Sequence, residues 1–120
     1  MEIIQPLVGL FRDDKDLERR RAPRCEADIG VCCALREPRT GRWRLAEVRD
    51  ISTTGIALLA ERPCETGQLL TVELRDSQRG LTRRYLVEVR HADICLPNDD
   101  WLHGCQFARP LRDDELRLWL

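Results

Sequence analysis

Two short groups of residues in this chain carry side chains suited to gripping a polar or anionic group. The first is Arg20-Arg21-Ala22-Pro23-Arg24, an R-x-x-x-R with Arg19 immediately before it. A guanidinium is a planar fork whose donors can meet an acceptor group two at a time, which a lysine ammonium does not do. Nearly all the positive charge of the chain is arginine, Lys15 being its single lysine. The second group, Asp50-Ile51-Ser52-Thr53-Thr54-Gly55, is a D-x-S-x-x-G. It offers a carboxylate acceptor, a small hydroxyl and a residue without a β-carbon, beside which other atoms can come close. Each group also has a plainer reading. R-x-x-x-R occurs twice more, at Arg75/Arg79 and Arg79/Arg83, and the stretch from Arg19 to Arg24 can be a solvated charge run. D-x-S-x-x-G occurs once. It can be a strand-to-strand turn, with Asp and Ser bonding local backbone and Gly taking a positive φ.

Both groups need a scaffold, and the pattern around them is one of short strands. Ala27, Ile29, Val31, Cys33 and Leu35 alternate with Asp28, Gly30, Cys32 and Ala34. That period of two marks a half-buried strand. Glu37-Pro38-Arg39-Thr40-Gly41 is a turn cluster. Trp43 to Asp50 is a second strand candidate and Ile56 to Ala60 a third, so D-x-S-x-x-G falls between two strands. Pro63 to Gly67 turns the chain, and Leu70, Val72 and Leu74 mark one face of a fourth strand. Asp76-Ser77-Gln78-Arg79-Gly80 turns again. Tyr85, Val87, Val89 and His91 alternate in a fifth strand. Leu96-Pro97-Asn98-Asp99-Asp100 forms the next turn, and Trp101, His103, Cys105 and Phe107 alternate in a sixth strand.

After Pro110 the spacing becomes helical at Leu111, Glu115, Leu118 and Trp119. Acidic Asp113 and Asp114 fall in the first turn, where the helix dipole favours them. At the other end Ile3, Ile4, Leu7, Val8 and Phe11 share one helical face, followed by a charged linker through Arg24. The expected fold is mostly β: a six-stranded antiparallel barrel with a C-terminal helix and a short N-terminal helical segment.

Composition bounds what such a barrel can do. A length of 120 residues allows one compact core. Aromatics make up 5% of the chain, so aliphatic residues must fill that core. The formal net charge is −1, which gives no global field for nucleic acid or a membrane surface. No apolar run approaches the roughly 20 residues of a membrane span. The start is acidic at Glu2 and lacks a small-residue cleavage site, so the chain is expected in the cytoplasm with reduced thiols. Six cysteines and two histidines raise the question of zinc, but there is no C-x-x-C pair. Cys32 and Cys33 are adjacent and point to opposite faces of a strand. His91, Cys95, His103 and Cys105 would gather only if the fifth and sixth strands pair. No cysteine has a recognisable His or acidic partner for nucleophilic catalysis. No metal or cofactor is expected.

In their order, and opening a six-strand pattern, the two groups resemble the PilZ family. The resemblance runs from Arg19 to Leu120, with residues 1–18 as a preceding apolar segment and linker. Gly104-Cys105-Gln106-Phe107 adds to it, being similar to the late G-[apolar]-x-F strand of these domains. The resemblance implies a barrel of the split-barrel type that is not an enzyme and binds cyclic di-GMP. It assigns the ligand to Arg20, Arg24, Asp50, Ser52 and Gly55, and Arg19 looks like the type that takes two ligands per protomer. The residue types suit such a ligand: arginine forks can hold a phosphate or guanine O6 and N7, or stack on the purine. The Asp50 carboxylate can accept from guanine N1–H and the exocyclic amine. The implied mechanism is that ligand pins the Arg19 to Arg24 linker onto the Asp50 to Gly55 turn and signals to an effector protein. A homodimer is left open. Two other readings stay beside it: a ligand-independent PilZ-like interaction module, and a barrel that binds single-stranded nucleic acid.

Overall fold

Period-two runs close on one another once each apolar face finds a partner, and here they close completely. The computed structural model describes residues 31–95 and 99–120. Strand β1 (Val31–Arg36) buries Cys33 and Leu35. Strand β2 (Trp43–Ile51) alternates exposed and half-buried residues until Asp50 and Ile51, which are both buried. Strand β3 (Gly55–Ala60) is buried at every position. Strands β4 (Leu69–Asp76), β5 (Leu81–Cys95) and β6 (Asp100–Phe107) follow. All pairings are antiparallel, and the order around the closed barrel is β1-β2-β3-β6-β5-β4. The interior is aliphatic, as scarce aromatics require. Leu35, Ile51, Ile56, Leu58, Leu70, Val72, Leu74, Val87 and Val89 are all fully enclosed.

The expected six-stranded barrel and C-terminal helix are both present, and the differences lie in lengths. The fifth strand was expected over Tyr85 to His91, but β5 runs from Leu81 to Cys95. Thr82, Arg83 and Arg84 read as turn-like in sequence because they are polar. In the barrel Arg84 lies opposite Glu73 of β4 and donates to its carboxylate at 3.0 Å, so the charge that hid the strand helps to hold it. Arg75 donates to the same carboxylate at 2.8 Å. The two guanidinia, Arg84 foremost, hold the Glu73 carboxyl below the usual carboxylate range. Asp76, expected in a turn, is the last residue of β4 and organises the turn beyond it. Its Oδ1 accepts from the Gln78 and Arg79 amides, and its Oδ2 accepts from Arg79 Nε at 2.7 Å. The N-terminal helical segment and the expected strand start at Ala27 lie outside the described residues.

Helix α1 (Asp113–Arg117) is five residues long, with Asp113, Asp114 and Glu115 in its first turn. Its main effect is to deliver Trp119, which is fully buried, into the core. Trp119 Nε1 donates to the Tyr85 hydroxyl at 2.9 Å, and that hydroxyl donates to Glu115. Burial, with the bond to Glu115, raises the Tyr85 phenol well above its ordinary pKa.

One buried polar group ties the barrel to its longest loop. His103 of β6 is fully enclosed, and its Nε2 accepts the Cys64 backbone N–H at 3.0 Å. Its Nδ1 lies 3.4 Å from the Leu58 carbonyl of β3. Burial foremost, with the Arg44 guanidinium and His91 nearby, pushes the ring pKa below 6.5. The folded chain therefore keeps His103 neutral where the unfolded chain binds a proton, and this contribution to stability falls as pH drops below about 6.5. The slope is at most about 1.4 kcal/mol per pH unit from this one group. Urea unfolding at pH 7.5, 6.5 and 5.5 should show the midpoint falling, and His103→Gln, which keeps an acceptor but cannot titrate, should flatten that fall. An equal slope in the variant would refute the assignment.

Candidate functional site

The site begins at an interruption of the alternation in β2. Trp43, Leu45 and Glu47 face outward while Ala46 and Val48 pack on the core. Continued alternation would send Asp50 inward. Instead the register with β3 shifts between Val48 and Asp50, leaving Arg49 as an extra residue. Beyond this bulge Ile51 lies opposite core residue Ile56, and Asp50 lies opposite Ala57 on the outer face. Asp50 is fully buried although it stands on the outside of the barrel. In sequence the signal is Arg49-Asp50, two consecutive polar residues within an alternating strand.

From Ser52 to Gly55 the chain makes a tight reversal. The Ser52 amide donates to the Gly55 carbonyl at 2.9 Å. Ser52 Oγ accepts from the amides of Thr54 and Gly55, both at 3.2 Å, and lies 3.3 Å from Thr54 Oγ1. The hydroxyl is buried and engaged within the turn itself. Gly55 was read as a candidate for positive φ, but among the described residues the positive-φ glycines are Gly41, Gly67 and Gly80. Gly55 instead opens β3 in extended conformation opposite Gln106. The turn is also held from the side: the Thr53 carbonyl accepts the Leu111 amide at 2.7 Å, and the Thr54 carbonyl accepts the Phe107 amide at 2.9 Å.

The strand registers extend this hairpin into a surface. One row across the outer face runs Asp50, Ala57, Gly104 and His91. The next runs Gly55, Gln106 and Glu88. A second register shift, between Val89 and His91, sets Arg90 apart as the extra residue of β5. Arg90 Nη1 donates to Gln106 Oε1 at 3.0 Å and lies 3.8 Å from Glu88. Gly55, Ala57 and Gly104 put almost no side chain above the sheet, which is what close approach of a flat ring or a sugar-phosphate chain requires, and all three are buried in this structure. A carboxylate stands at one end of this floor, and an amide and a guanidinium at the other.

The structure thus brings Asp50, Ser52 and Gly55 into one hairpin, while Arg19, Arg20 and Arg24 lie outside the described residues. Sequence reasoning passed over Ala57, met Gln106 only within the Gly104-Cys105-Gln106-Phe107 pattern, and read Arg90 only as part of a possible nucleic-acid patch with Arg83 and Arg84. It marked Gly104 for its pattern, although a glycine inside a strand itself signals close approach. The four zinc candidates do not converge. Strands β5 and β6 pair, but His103 and Cys105 lie in the core and His91 lies on the outer row. Among the described residues no group of three or more His, Cys, Asp or Glu side chains is placed to hold a metal ion. Burial pushes the Cys33 thiol up to about 12 and raises Cys64 as well, so both are thiols rather than reactive thiolates.

Comparison with known proteins places the fold. The model of the PilZ domain matches residues 18–119. No curated protein is similar enough in sequence to match the chain. Among solved structures, the chain is similar to the PilZ domain with c-di-GMP of YcgR from Escherichia coli, at 17% identity and a TM-score of 0.63, covering 83% of this chain and 85% of that one. It is similar to the K. pneumonia MrkH–c-di-GMP complex, at 22% identity and a TM-score of 0.62, covering 82% of this chain and 48% of that one. It is also similar to the Bacillus subtilis inhibitor of motility MotI, at 15% identity and a TM-score of 0.63, covering 85% of this chain and 48% of that one. The chain therefore spans about half the length of MrkH and of MotI. At these identities the neighbours speak for the fold, and the family model speaks for descent: the chain belongs to the PilZ domain family.

Proposed function

We propose that the chain is a receptor for cyclic di-GMP. The observation that carries this is the bulged hairpin, which sets the Asp50 carboxylate beside the floor of Gly55, Ala57 and Gly104. Membership of the PilZ family and the cyclic di-GMP named in the YcgR and MrkH complexes support it. Asp50 accepts from the N1–H and exocyclic amine of one guanine. Arg20 and Arg24 supply forks for phosphate or for guanine O6 and N7. Arg19, preceding them, sets a stoichiometry of two ligands per protomer. Gln106 and Arg90 close the far side of the floor with further donors. Ser52 serves mainly by fixing the turn, since its hydroxyl accepts from two amides there.

In this reading residues 19–120 form the receptor domain, and residues 1–18 precede it as a separate segment. Ligand binds the arginine linker to the hairpin, and this repositions the preceding segment for an effector protein. The role is recognition rather than catalysis. The single-stranded nucleic-acid reading loses ground on one feature. Trp43, at 39% exposure, is engaged by the guanidinia of Arg36 and Arg84, 5.0 and 5.1 Å from the ring centre, instead of forming part of an open stacking row.

Isothermal titration calorimetry should show binding at micromolar dissociation constant or tighter, about −8 kcal/mol or better, with a stoichiometry of two. Arg24→Ala and Asp50→Ala should each abolish it. No heat with the wild type would turn the reading to a ligand-independent interaction module, and a stoichiometry of one would remove the role given to Arg19. Ser52→Ala should lower stability by about 1–3 kcal/mol in urea unfolding without ligand, because two amides lose their buried acceptor. A variant of unchanged stability would show that the hydroxyl is not what holds the turn. Saturating ligand should slow proteolysis within residues 1–24, and unchanged cleavage would exclude the relay.

A further inference from the structure

A second concave surface lies apart from the Asp50 floor. An open groove of about 610 Å³ runs where β5 meets residues 107–112 and helix α1. Its floor is apolar: Leu86 is 49% exposed there, with Pro110 beside it and the buried Phe107 and Leu111 beneath. Arg84, Arg109 and Arg112 contribute to its lining, the Arg84 guanidinium being turned to Glu73 and the Trp43 ring. The single carboxylate in the lining, Glu115, already accepts from the Tyr85 hydroxyl and lies 3.8 Å from Arg83. Arg84 shares Glu73 with Arg75, and Arg112 meets Asp114 through an exposed pair at 3.2 Å. Exposed pairs of that kind are worth little and exchange readily for a better partner. Arg109 has no ion pair or hydrogen bond among the described residues. The groove thus presents greasy surface under positive charge that its own residues only partly neutralise, in a chain whose formal net charge is −1.

We infer that this groove docks a segment of a partner protein that carries large apolar side chains flanked by aspartate or glutamate. The apolar residue displaces water from Leu86 and Pro110, and the carboxylates meet the forks of Arg109 and Arg112 bidentately. Charge complementarity selects this occupant. A basic or neutral segment would leave Arg109 unpaired at the edge of a desolvated contact. The groove wall also hangs on the Asp50 hairpin, through the Leu111 amide on the Thr53 carbonyl and the Phe107 amide on the Thr54 carbonyl. The docking surface adjoins the messenger floor without sharing its residues, and docking itself does not depend on the messenger reading.

The test is selection of random short peptides displayed on phage against the full chain, with the Arg109→Glu/Arg112→Glu double variant as counter-selection. Enriched peptides should carry acidic residues on both sides of a leucine, isoleucine or phenylalanine. Synthetic copies should bind the wild type about ten-fold or more tightly than the variant by fluorescence anisotropy, more weakly as salt rises. An unchanged circular dichroism spectrum and urea midpoint would show that the variant is folded. Unchanged cyclic di-GMP binding by the variant would separate failure here from failure of the receptor reading. Enriched peptides without acidic residues, or equal binding to both proteins, would overturn the proposal. It would also be overturned if a peptide of residues 1–18 occupied the groove and blocked the selected peptides, or if sedimentation showed a dimer that the double variant dissolves.

Discussion

The whole outer face of this barrel depends on one extra residue in β2. Side chains alternate strictly along a strand, so Asp50 belongs by count to the aliphatic core. The bulge at Arg49 changes the count once. It leaves Val48 and Ile51 on the inside and brings Asp50 out beside Ala57. The bulge in β5 at Arg90 does the same on the far side, setting His91 opposite Gly104. Two local irregularities thus convert the side of an ordinary barrel into a shallow floor with polar ends, while the aliphatic interior continues beneath without interruption.

Sequence pattern revealed this architecture unevenly, and the reasons are physical. Strands such as β4 and β6 were readable because one of their faces is apolar and the other is not. The first half of β5 was not, because Arg83 and Arg84 resemble loop residues until Glu73 and Glu115 are placed against them. Helix α1 was expected from the acidic start and the spacing of Leu111, Glu115 and Leu118, but it is a single short turn that seats Trp119. The D-x-S-x-x-G group carried both of its readings at once. Ser52 makes the local turn that its plainer interpretation required, while Asp50 is set where a ligand could meet it. What no strand pattern could disclose was the register across β3, β6 and β5. Ala57, Gln106 and Arg90 are ordinary residues until pairing lines them up with Gly55 and Gly104.

Rigidity and adaptability are divided accordingly. The hairpin is pinned by the Ser52 hydroxyl from within and by the Phe107 and Leu111 amides from the side. A group held in place before binding loses little entropy when a ligand arrives, which favours affinity. The long guanidinium side chains around the outer face, by contrast, sit in exposed pairs and can change partners at small cost. A rigid acceptor with movable donors around it is the division of labour that the proposed receptor role requires.

Closure of the barrel has a consequence for how the protein behaves in a crowded solution. Leu45, Leu69, Leu86 and Ile94 are exposed on its strands, and Leu45 is 86% exposed. On an open sheet such residues beside a free edge would invite another chain to add a strand and begin a fibril. Here β1 pairs with β4 along its length and with β2 from Cys33 onward, and every strand has a neighbour on each side over part of its length. The exposed leucines therefore border backbone that is already hydrogen-bonded. The native state can keep greasy side chains at its surface without offering the template on which amyloid grows.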